Sequence, residues 1–282
     1  MTVMITVEAA TDGRRHSAAL VAGLVLSGLV VGAALLSLAW TPYDPTAINV
    51  AGRLAAPTGA HWFGTDAYGR DVFSQVLAGA QSALAVALAA VGVGLGCGVP
   101  LGLLAAGRRG WVEEVAMRGS DIVFAFPALI TAVLIAALCG PGAIDAIAAI
   151  GLFNIPIFAK VTRAAALSVW ARDYTLAARL AGKGAGRISL DHVLPNIAGL
   201  LLVQATIQLS LGIIADAGLS FVGLGTQAPR PSWGRMLADS QTLADLAPWL
   251  VLFPGLGVVA AVLGFNLLGE GLRAHLNPRR GA

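Results

Sequence analysis

Apolar runs without a charged side chain alternate along the chain with short polar segments. Most are long enough for the ~20 residues that an α-helix needs to cross a bilayer. We therefore expect an all-α membrane protein with six transmembrane helices. The charge-free runs span residues 18–40, 82–106, 122–144, 146–159, 193–215 and 246–269. The fourth is the shortest, so we extend its predicted helix to 141–163, where the Lys160 side chain would reach the membrane interface.

The first apolar run has two interpretations. A secretory signal peptide has a shorter apolar core of about 7–15 residues, whereas this run continues to Trp40, an aromatic residue typical of the membrane interface. We favour an uncleaved transmembrane helix at 18–40, preceded by a tail at 1–17. An external loop at 41–81 follows, then a five-helix core at 82–270 and a tail at 271–282.

Composition supports a membrane protein. Mean hydropathy is +0.80 and 12% of residues are charged, against about 25% in soluble domains. Basic residues are not interleaved with aromatic ones, which argues against nucleic acid as a partner. Cys97 and Cys139 lie in apolar runs and are interpreted as small core residues. The four histidines are scattered, and no metal site is predicted.

Lysine and arginine orient the predicted helices. If the N-terminus lies in the cytoplasm, all but four of the 18 basic residues fall in cytoplasmic segments. This asymmetry is what the positive-inside rule requires. Both termini are then cytoplasmic, and residues 173–196 lie in the cytoplasm between the fourth and fifth helices. The exceptions are Arg53, Arg70, Arg230 and Arg235.

The 173–196 segment is a charged, glycine-rich island that predicts a short helix. Asp173 suits the N-cap, the helix spans 174–181, and Gly182 ends it. A second helical piece at 187–194 is expected to stop at Pro195. A two-turn helix is not stable alone and needs a partner surface.

Basic residues recur every fourth position of this segment, at Arg179, Lys183 and Arg187. They form either a solvated cytoplasmic face or an electrostatic docking surface for an acidic partner.

The segment DYTLAARLAGKGAGRISLDHVLPN resembles the EAA loop of permease subunits in binding-protein-dependent ABC importers. Leu176 occupies the position of the family's glutamate, so a salt bridge made by that glutamate is not carried over. The matching residues are Ala177, Ala178, Gly182, Ile188, His192, Leu194, Pro195 and Asn196.

Other motifs are similar to those of dipeptide, oligopeptide and nickel permeases, in the same order. Residues 61–71 resemble HxxGTDxxGRD, and 107–121 resemble an inner loop in which Met117, Arg118 and Asp121 match. Residues 216–225 and 231–234 resemble EAGLSFLGLG…PSWG, with Asp216 in place of glutamate. LRAHLNPR resembles the family's ending. The resemblance covers about residues 60–280 and points to the C-type subunit.

The resemblance implies a type I ABC importer permease fold with a cytoplasmic coupling helix. It implies a non-catalytic subunit of the bacterial cytoplasmic (inner) membrane that binds no cofactor. Its partners would be a second permease, two ATPase subunits that bind ATP and Mg, and an extracytoplasmic substrate-binding protein. Di- or oligopeptides are the expected cargo, while nickel chelates, haem and glutathione stay open. The residues expected to couple to the ATPase, within a loop at 164–196, are Asp173, Tyr174, Ala177, Ala178, Arg179, Gly182, Lys183 and Arg187.

Two further sets are candidate sites. Asn154, Gln204 and Gln208 either line a polar translocation path or form hydrogen bonds between helices. The second set comprises Asp216, Ser220, Gly223 and Trp233. These residues either gate the outer mouth of the pore or contact a binding protein, or their pattern reflects turn chemistry alone.

Other classes of protein fit less well. The only Gly-Lys pair, Gly182-Lys183, is followed by Gly184 and lacks the spacing of a phosphate-binding loop. No nucleophile arrangement is readable, so we do not expect an enzyme. A secondary transporter or channel that is not driven by ATP is the alternative, although no internal repeat supports it.

Overall fold

The protein is a bundle of long helices. This computed structural model describes the backbone of residues 2–276, and it describes side chains from residue 18 onward except those at 128, 129, 136 and 139. The tail arginines at 279 and 280, and the side chains of Arg14 and Arg15, lie outside the described residues. The α-helices are α1 (Thr2–Ala39), α2 (Val72–Val93), α3 (Val99–Arg108), α4 (Trp111–Ala125), α5 (Ala128–Cys139), α6 (Ala143–Trp170), α7 (Asp173–Leu180), α8 (Ala185–Ile188), α9 (Leu194–Phe221), α10 (Trp233–Ser240) and α11 (Trp249–Leu276).

Within the described residues, five helical segments are long and apolar enough to cross a membrane. They are Ala18–Ala39, Val72–Arg108, Ala143–Trp170, Ala185–Phe221 and Trp249–Leu276. The predicted third crossing, 122–144, is instead divided between α4 and α5. Pro127 causes the break, because proline drives the preceding residue into an extended conformation, and Phe126 has a ψ of 131°. An all-helical membrane protein with five such segments is confirmed, and the sixth predicted crossing stays a prediction.

The predicted polar loop 107–120 is largely helical. α4 begins directly after Gly110 and carries Glu113 and Glu114 in its first turn, where negative charge favours a helix N-terminus. Glu114 also pairs with Arg118 one turn later, at 2.8 Å. The charges that suggested a loop therefore stabilise a helix.

Two ion pairs join α4 to α6. Glu113 pairs with Arg163, and Asp121 pairs with Lys160. The Lys160 ammonium also lies 4.7 Å from the ring centroid of Phe124. Lys160 was expected to extend to the membrane interface, but it is held by α4 instead.

Charged and proline residues do not end the helices where the sequence suggested. α6 passes Lys160 and Pro156 to Trp170, and α11 continues past Glu270. Pro195, predicted to stop a helix, lies in the first turn of α9.

A π-turn explains why the chain continues through this proline. It spans Ser189–Val193, directly before α9. The Asn196 side-chain amide donates to the carbonyl of His192 at 2.6 Å. The His192 carbonyl, three residues before Pro195, therefore has a side-chain donor.

A second π-turn, Gly94–Gly98, connects α2 and α3 ahead of Pro100. A Cβ at Gly94 or Gly98 would lie within 2.8 Å of atoms of α6, whereas Gly92 and Gly96 have nothing within 4 Å. Two of these four glycines, Gly94 and Gly98, therefore allow close packing against α6. Cys97 is free and exposed rather than in the core.

α2, α6 and α9 pack against one another, and α1 runs along α11 beside them. α6 connects the two ends of the bundle. At its start, the Gly142 amide donates to the Leu224 carbonyl at 3.3 Å, and its last residue, Trp170, leads into α7. At 1.5 Å per residue, its 28 residues span about 42 Å.

The end of the bundle at which α6 begins carries the loop layer, which comprises residues 40–71 and 222–243. The predicted loop 41–81 is shorter than expected, because α2 starts at Val72. Asp71 caps α2 by accepting from the amide and hydroxyl of Ser74 at 2.8 and 2.7 Å. Asp71 also contacts His61 Nδ1 at 2.9 Å. The motif at 61–71 thus ends in Asp71, which has a structural role as the N-cap of α2.

Candidate functional site

α7 lies at the other end of the bundle and matches the predicted short helix to within one residue at each end. Its N-cap is Arg172, and Asp173 is the first helical residue, so the predicted Asp173 cap is wrong. Thr175 stabilises the entry instead. Its hydroxyl lies 2.6 Å from the carbonyl of Arg172 and 3.0 Å from that of Trp170.

Gly182 ends α7 as predicted, with a φ of +82°. The Gly182 amide donates to the Arg179 carbonyl at 3.0 Å, and the Lys183 amide donates to the Ala178 carbonyl at 3.1 Å. These two bonds form a Schellman motif, which needs a left-handed residue at this position.

One face of α7 packs on the bundle. Thr175 and Ala178 are buried there, 1% and 9% exposed. Ala178 belongs to a core cluster with Trp170 and Ile188. Ala178, which the resemblance placed among the residues that couple to the ATPase, faces this chain's own core.

The predicted docking cations have internal partners. The Arg179 guanidinium lies 5.2 Å from the ring centroid of Trp170. Lys183 and Arg187 approach Asp191 at 3.1 and 3.8 Å. Their charge is therefore partly balanced within this chain.

The opposite face of α7 is apolar and uncovered. Leu176 is 49% and Leu180 is 91% exposed, and Ala177 is exposed between them. Residues spaced by three and four positions share one helix face. α7 thus presents an apolar stripe from a helix that is anchored on the core.

A second feature is a cleft in the middle of the bundle, here called the central cleft, with a volume of about 390 Å³. Asn154 of α6 and Gln208 of α9 both line it, and they are the only polar ones among its described side chains. Gln204, predicted to share their role, does not line it. Its walls are Ala132, Ala149, Ile150, Phe153, Asn154, Ile157, Gln208, Leu211, Gly212, Ile214, Ala215, Gly218 and Leu219.

The candidate gate residues lie in or beside packed helices rather than in an open loop. Asp216, expected to close the fifth helix, is inside α9 and 2% exposed. The Ser220 hydroxyl accepts from the Thr226 amide at 3.2 Å. The Trp233 indole donates to the Val76 carbonyl at 3.0 Å.

Gly223 lies just after α9, with a φ of +82°. It therefore occupies a helix-terminating turn, as glycine often does.

Sequence reasoning missed a cleft of about 200 Å³ within the loop layer, here called the loop cleft. Asp66 stabilises one wall by accepting from Arg70 at 2.6 Å and from Gln75 at 3.0 Å. Arg235 and Asp239 pair on the other wall, at 3.2 Å. The motifs at 61–71 and 231–234 marked both walls, but nothing in their spacing showed that they meet.

Comparison with known proteins identifies the class of this bundle. Residues 98–281 match the family described as "Binding-protein-dependent transport system inner membrane component". The structure also resembles that of the MetNI methionine ABC transporter in an inward-facing conformation. The TM-score is 0.61 at 19% identity, and the match covers 72% of this chain and 97% of that chain. At this identity the likeness concerns the fold alone.

Curated relatives match nearly the whole chain. The dipeptide transport system permease protein DppC of Alkalihalophilus pseudofirmus is 38% identical over 259 residues, covering 92% of this chain and 85% of that protein. The glutathione transport system permease protein GsiD of Pectobacterium atrosepticum is 37% identical over 266 residues, covering 94% and 88%. The di/tripeptide transport system permease protein DppC of Pseudomonas aeruginosa is 38% identical over 270 residues, covering 94% and 89%.

The chain belongs to the family of binding-protein-dependent transport system inner membrane components. It is a multi-pass permease subunit of an ABC importer in the bacterial inner membrane, of the dipeptide and oligopeptide type. The ATPase of such an importer is a separate subunit, so this chain is not itself the enzyme. This family membership excludes the alternative of a transporter or channel that is not driven by ATP.

Proposed function

We propose that this chain forms half of the pore of an importer for di- or oligopeptides. A second, related permease would complete the pore, and a substrate-binding protein would deliver cargo. Two ATPase subunits that bind ATP and Mg would drive it, and this chain would bind neither. Relatives named for dipeptides, di/tripeptides and glutathione support a peptide cargo, because these molecules share the peptide bond.

The orientation in this proposal follows from charge. The loop layer faces outward, both termini are cytoplasmic, and α7 is cytoplasmic. α4 and α5 together make the sixth crossing. The divisions at 1–17, 18–40, 41–81, 82–270 and 271–282 are approximate, because helices run across several of them.

The coupling proposal depends on one observation, the exposed apolar stripe of Leu176, Ala177 and Leu180 on an anchored helix. We assign this stripe, with Asp173 and Tyr174 beside it, to contact with the ATPase. The remaining coupling residues support α7 from behind, so that force on the stripe reaches α6 and α9 as a rigid-body motion. They are Ala178, Arg179, Gly182, Lys183 and Arg187.

An apolar contact is expected to replace the salt bridge that the family's glutamate would make at position 176. Burying most of a leucine side chain contributes about 1.5–3 kcal/mol, more than a typical exposed ion pair. The complementary groove of the ATPase should therefore be apolar.

The remaining candidate residues are assigned to the translocation path and to the outer gate. The central cleft, with Asn154 and Gln208, forms this chain's share of the translocation path, and Gln204 lies beside it. Asp216, Ser220, Gly223 and Trp233 hold the outer end of α9 and thereby the outer gate.

The test of coupling is Leu180→Asp in the complete importer, with Leu180→Met as the matched control that keeps the stripe apolar. Binding-protein-dependent uptake of trialanine into proteoliposomes and co-purification of the ATPase are measured for both. We expect Leu180→Asp to lower uptake by at least about tenfold, the equivalent of one lost apolar contact, with little change in thermal unfolding. Uptake equal to that of Leu180→Met would show that the stripe is not the contact.

The cargo is tested separately. Purified binding protein encoded with this permease is titrated with trialanine, glutathione, haem and a nickel chelate. We expect trialanine to bind and to be imported. Import of haem or the nickel chelate alone would overturn the peptide assignment while leaving the coupling proposal intact.

A further inference from the structure

The central cleft has an unusual chemistry for a wall of a transport path. Among the side chains that the structure describes, none that line it is titratable, and its two polar groups, Asn154 and Gln208, are both carboxamides. The rest of its lining is aliphatic, aromatic or glycine. A charged group inside such a cleft would lose its hydration without a compensating partner. The cleft therefore suits an uncharged part of a ligand that carries both a donor and an acceptor.

Asn154 supplies a second, independent observation. Its side chain is 4% exposed, and its Nδ2 is buried with no hydrogen-bond partner among the described residues. A buried donor without an acceptor is costly, and such groups are rare in native structures unless a ligand or water satisfies them. Asn154 thus lines the cleft while its amide nitrogen has no acceptor among the described residues.

The position of Asn154 is set by packing behind it. A Cβ at Gly94, in the π-turn between α2 and α3, would lie 2.5 Å from the Asn154 Cβ. Gly94 therefore lets α6 approach closely, and no larger residue fits there without displacing Asn154. Gln208 comes from α9 and is 3% exposed. The two amides are held on different helices of one packed bundle.

We propose that Asn154 and Gln208 form an amide pair that binds the peptide bond of the cargo during its passage. Asn154 Nδ2 donates to the peptide carbonyl, and a side-chain carbonyl of the pair accepts from the peptide N–H. The apolar walls make no polar contact with cargo side chains, so the pair recognises the backbone and tolerates varied sequences. This assignment rests on the proposed function.

The surface facing the cleft in the complex would belong to the second permease. An apolar helix of that subunit pressed into the cleft would leave Asn154 Nδ2 without an acceptor, whereas a peptide carbonyl satisfies it. We therefore assign the space to cargo.

The experiment compares Asn154→Leu and Gln208→Leu with Gln204→Leu, a matched control one turn from Gln208 and outside the cleft. The complete importer is reconstituted in proteoliposomes, and uptake of trialanine is measured at saturating loaded binding protein. We expect about tenfold slower uptake for each cleft variant, as for one lost hydrogen bond in the path, and near wild-type uptake for Gln204→Leu. ATPase activity should remain in all three.

A second measurement does not depend on the folding of a variant. The wild-type importer is supplied with trialanine whose peptide bonds are N-methylated, which removes the N–H donors. Its affinity for the binding protein is determined separately, and rates are compared at saturation. We expect about tenfold slower import of the methylated peptide by the wild-type importer. In Gln208→Leu, we expect a smaller difference between the import rates of the two peptides.

The outcomes separate this assignment from the proposed function. If the wild-type importer does not take up trialanine in a binding-protein-dependent way, the proposed function fails. If it does, but Asn154→Leu and Gln208→Leu match Gln204→Leu, the amide pair is wrong. Equal import rates for methylated and unmethylated trialanine would also overturn it.

Discussion

The loop layer and α7 lie at opposite ends of α6 and are built in contrasting ways. In the loop layer, polar side chains bind one another and the backbone. Thr65, 0% exposed, donates to the Gly52 carbonyl at 2.5 Å and accepts from the Ala55 amide at 2.8 Å. α7, in contrast, is attached through one buried face and leaves Leu180 91% exposed.

The difference is clearest at two glycines. Gly69 and Gly182 have similar backbone φ angles, +73° and +82°. A Cβ at Gly69 would lie 1.8 Å from the Asn49 carbonyl oxygen, whereas at Gly182 it would meet nothing within 4 Å. The loop layer is therefore closely packed at Gly69, whereas the end of α7 at Gly182 faces open space in this chain.

The largest expected effect is that of Gly69→Ala. The new Cβ collides with backbone rather than with a movable side chain, and the left-handed conformation adds strain. We expect a loss of about 3 kcal/mol or more in the free energy of unfolding, measured by thermal unfolding in detergent. Gly59→Ala is the control, since its Cβ meets nothing within 4 Å and its φ is not positive. Equal stability of the two variants would contradict the tight loop layer.

The next effect separates the two faces of α7. Ala178→Leu overpacks the core around Trp170 and should cost about 2 kcal/mol. Ala177→Leu, on the exposed face, should change stability by no more than about 0.5 kcal/mol. Thermal unfolding of the isolated permease measures both. Similar losses would mean that the buried and exposed faces of α7 are assigned incorrectly.

Gly182→Ala should have a smaller effect, because only backbone strain opposes it. We expect a loss of about 1 kcal/mol, with α7 ending less sharply. The neighbouring glycines 184 and 186 also have open space and no positive φ, so Gly184→Ala provides the control. Hydrogen exchange of the Lys183 amide reports directly on the Schellman bond. Unchanged exchange in Gly182→Ala would rule out this role.

The smallest effect is expected for Arg187→Ala. Its pair with Asp191 is 3.8 Å long, and its side chain is 78% exposed. Such pairs contribute about 0–0.5 kcal/mol and weaken with salt. Arg163→Ala, which breaks the less exposed pair with Glu113, should cost more. The comparison is made by thermal unfolding at low and high salt, and a larger loss for Arg187→Ala would reverse the expected ranking.

Local signals predicted α7 well. Gly182 requires no knowledge of the rest of the fold, because a glycine after a short helix-forming run is typical of a left-handed cap. The N-cap was misplaced by one residue, since Thr175 stabilises the entry through its own hydroxyl. Helix ends were predicted less well, because the helices continue through charged residues: Asp216 is buried inside α9, and Glu270 lies at an exposed position of α11.

The candidate sites depended more on tertiary structure. Asn154 and Gln208 were chosen for their polarity within apolar runs, and both line the central cleft. Gln204 satisfied the same criterion but lies outside it. One helical turn separates Gln204 from Gln208, and only the packing of α6 against α9 distinguishes them. The roles assigned to all three remain predictions.

The sequence by itself determined that this is a multi-pass membrane protein with a short helix ending at Gly182, and its motifs resembled those of a permease family. The first two results follow from local physics, namely the length of apolar runs that a bilayer requires and the conformational freedom of glycine. Only the tertiary structure decided which face of α7 is exposed, that its cations have internal partners, and that two amides share one cleft. These features depend on contacts between residues far apart in the chain, and neither hydrophobic periodicity nor motif spacing specifies such contacts.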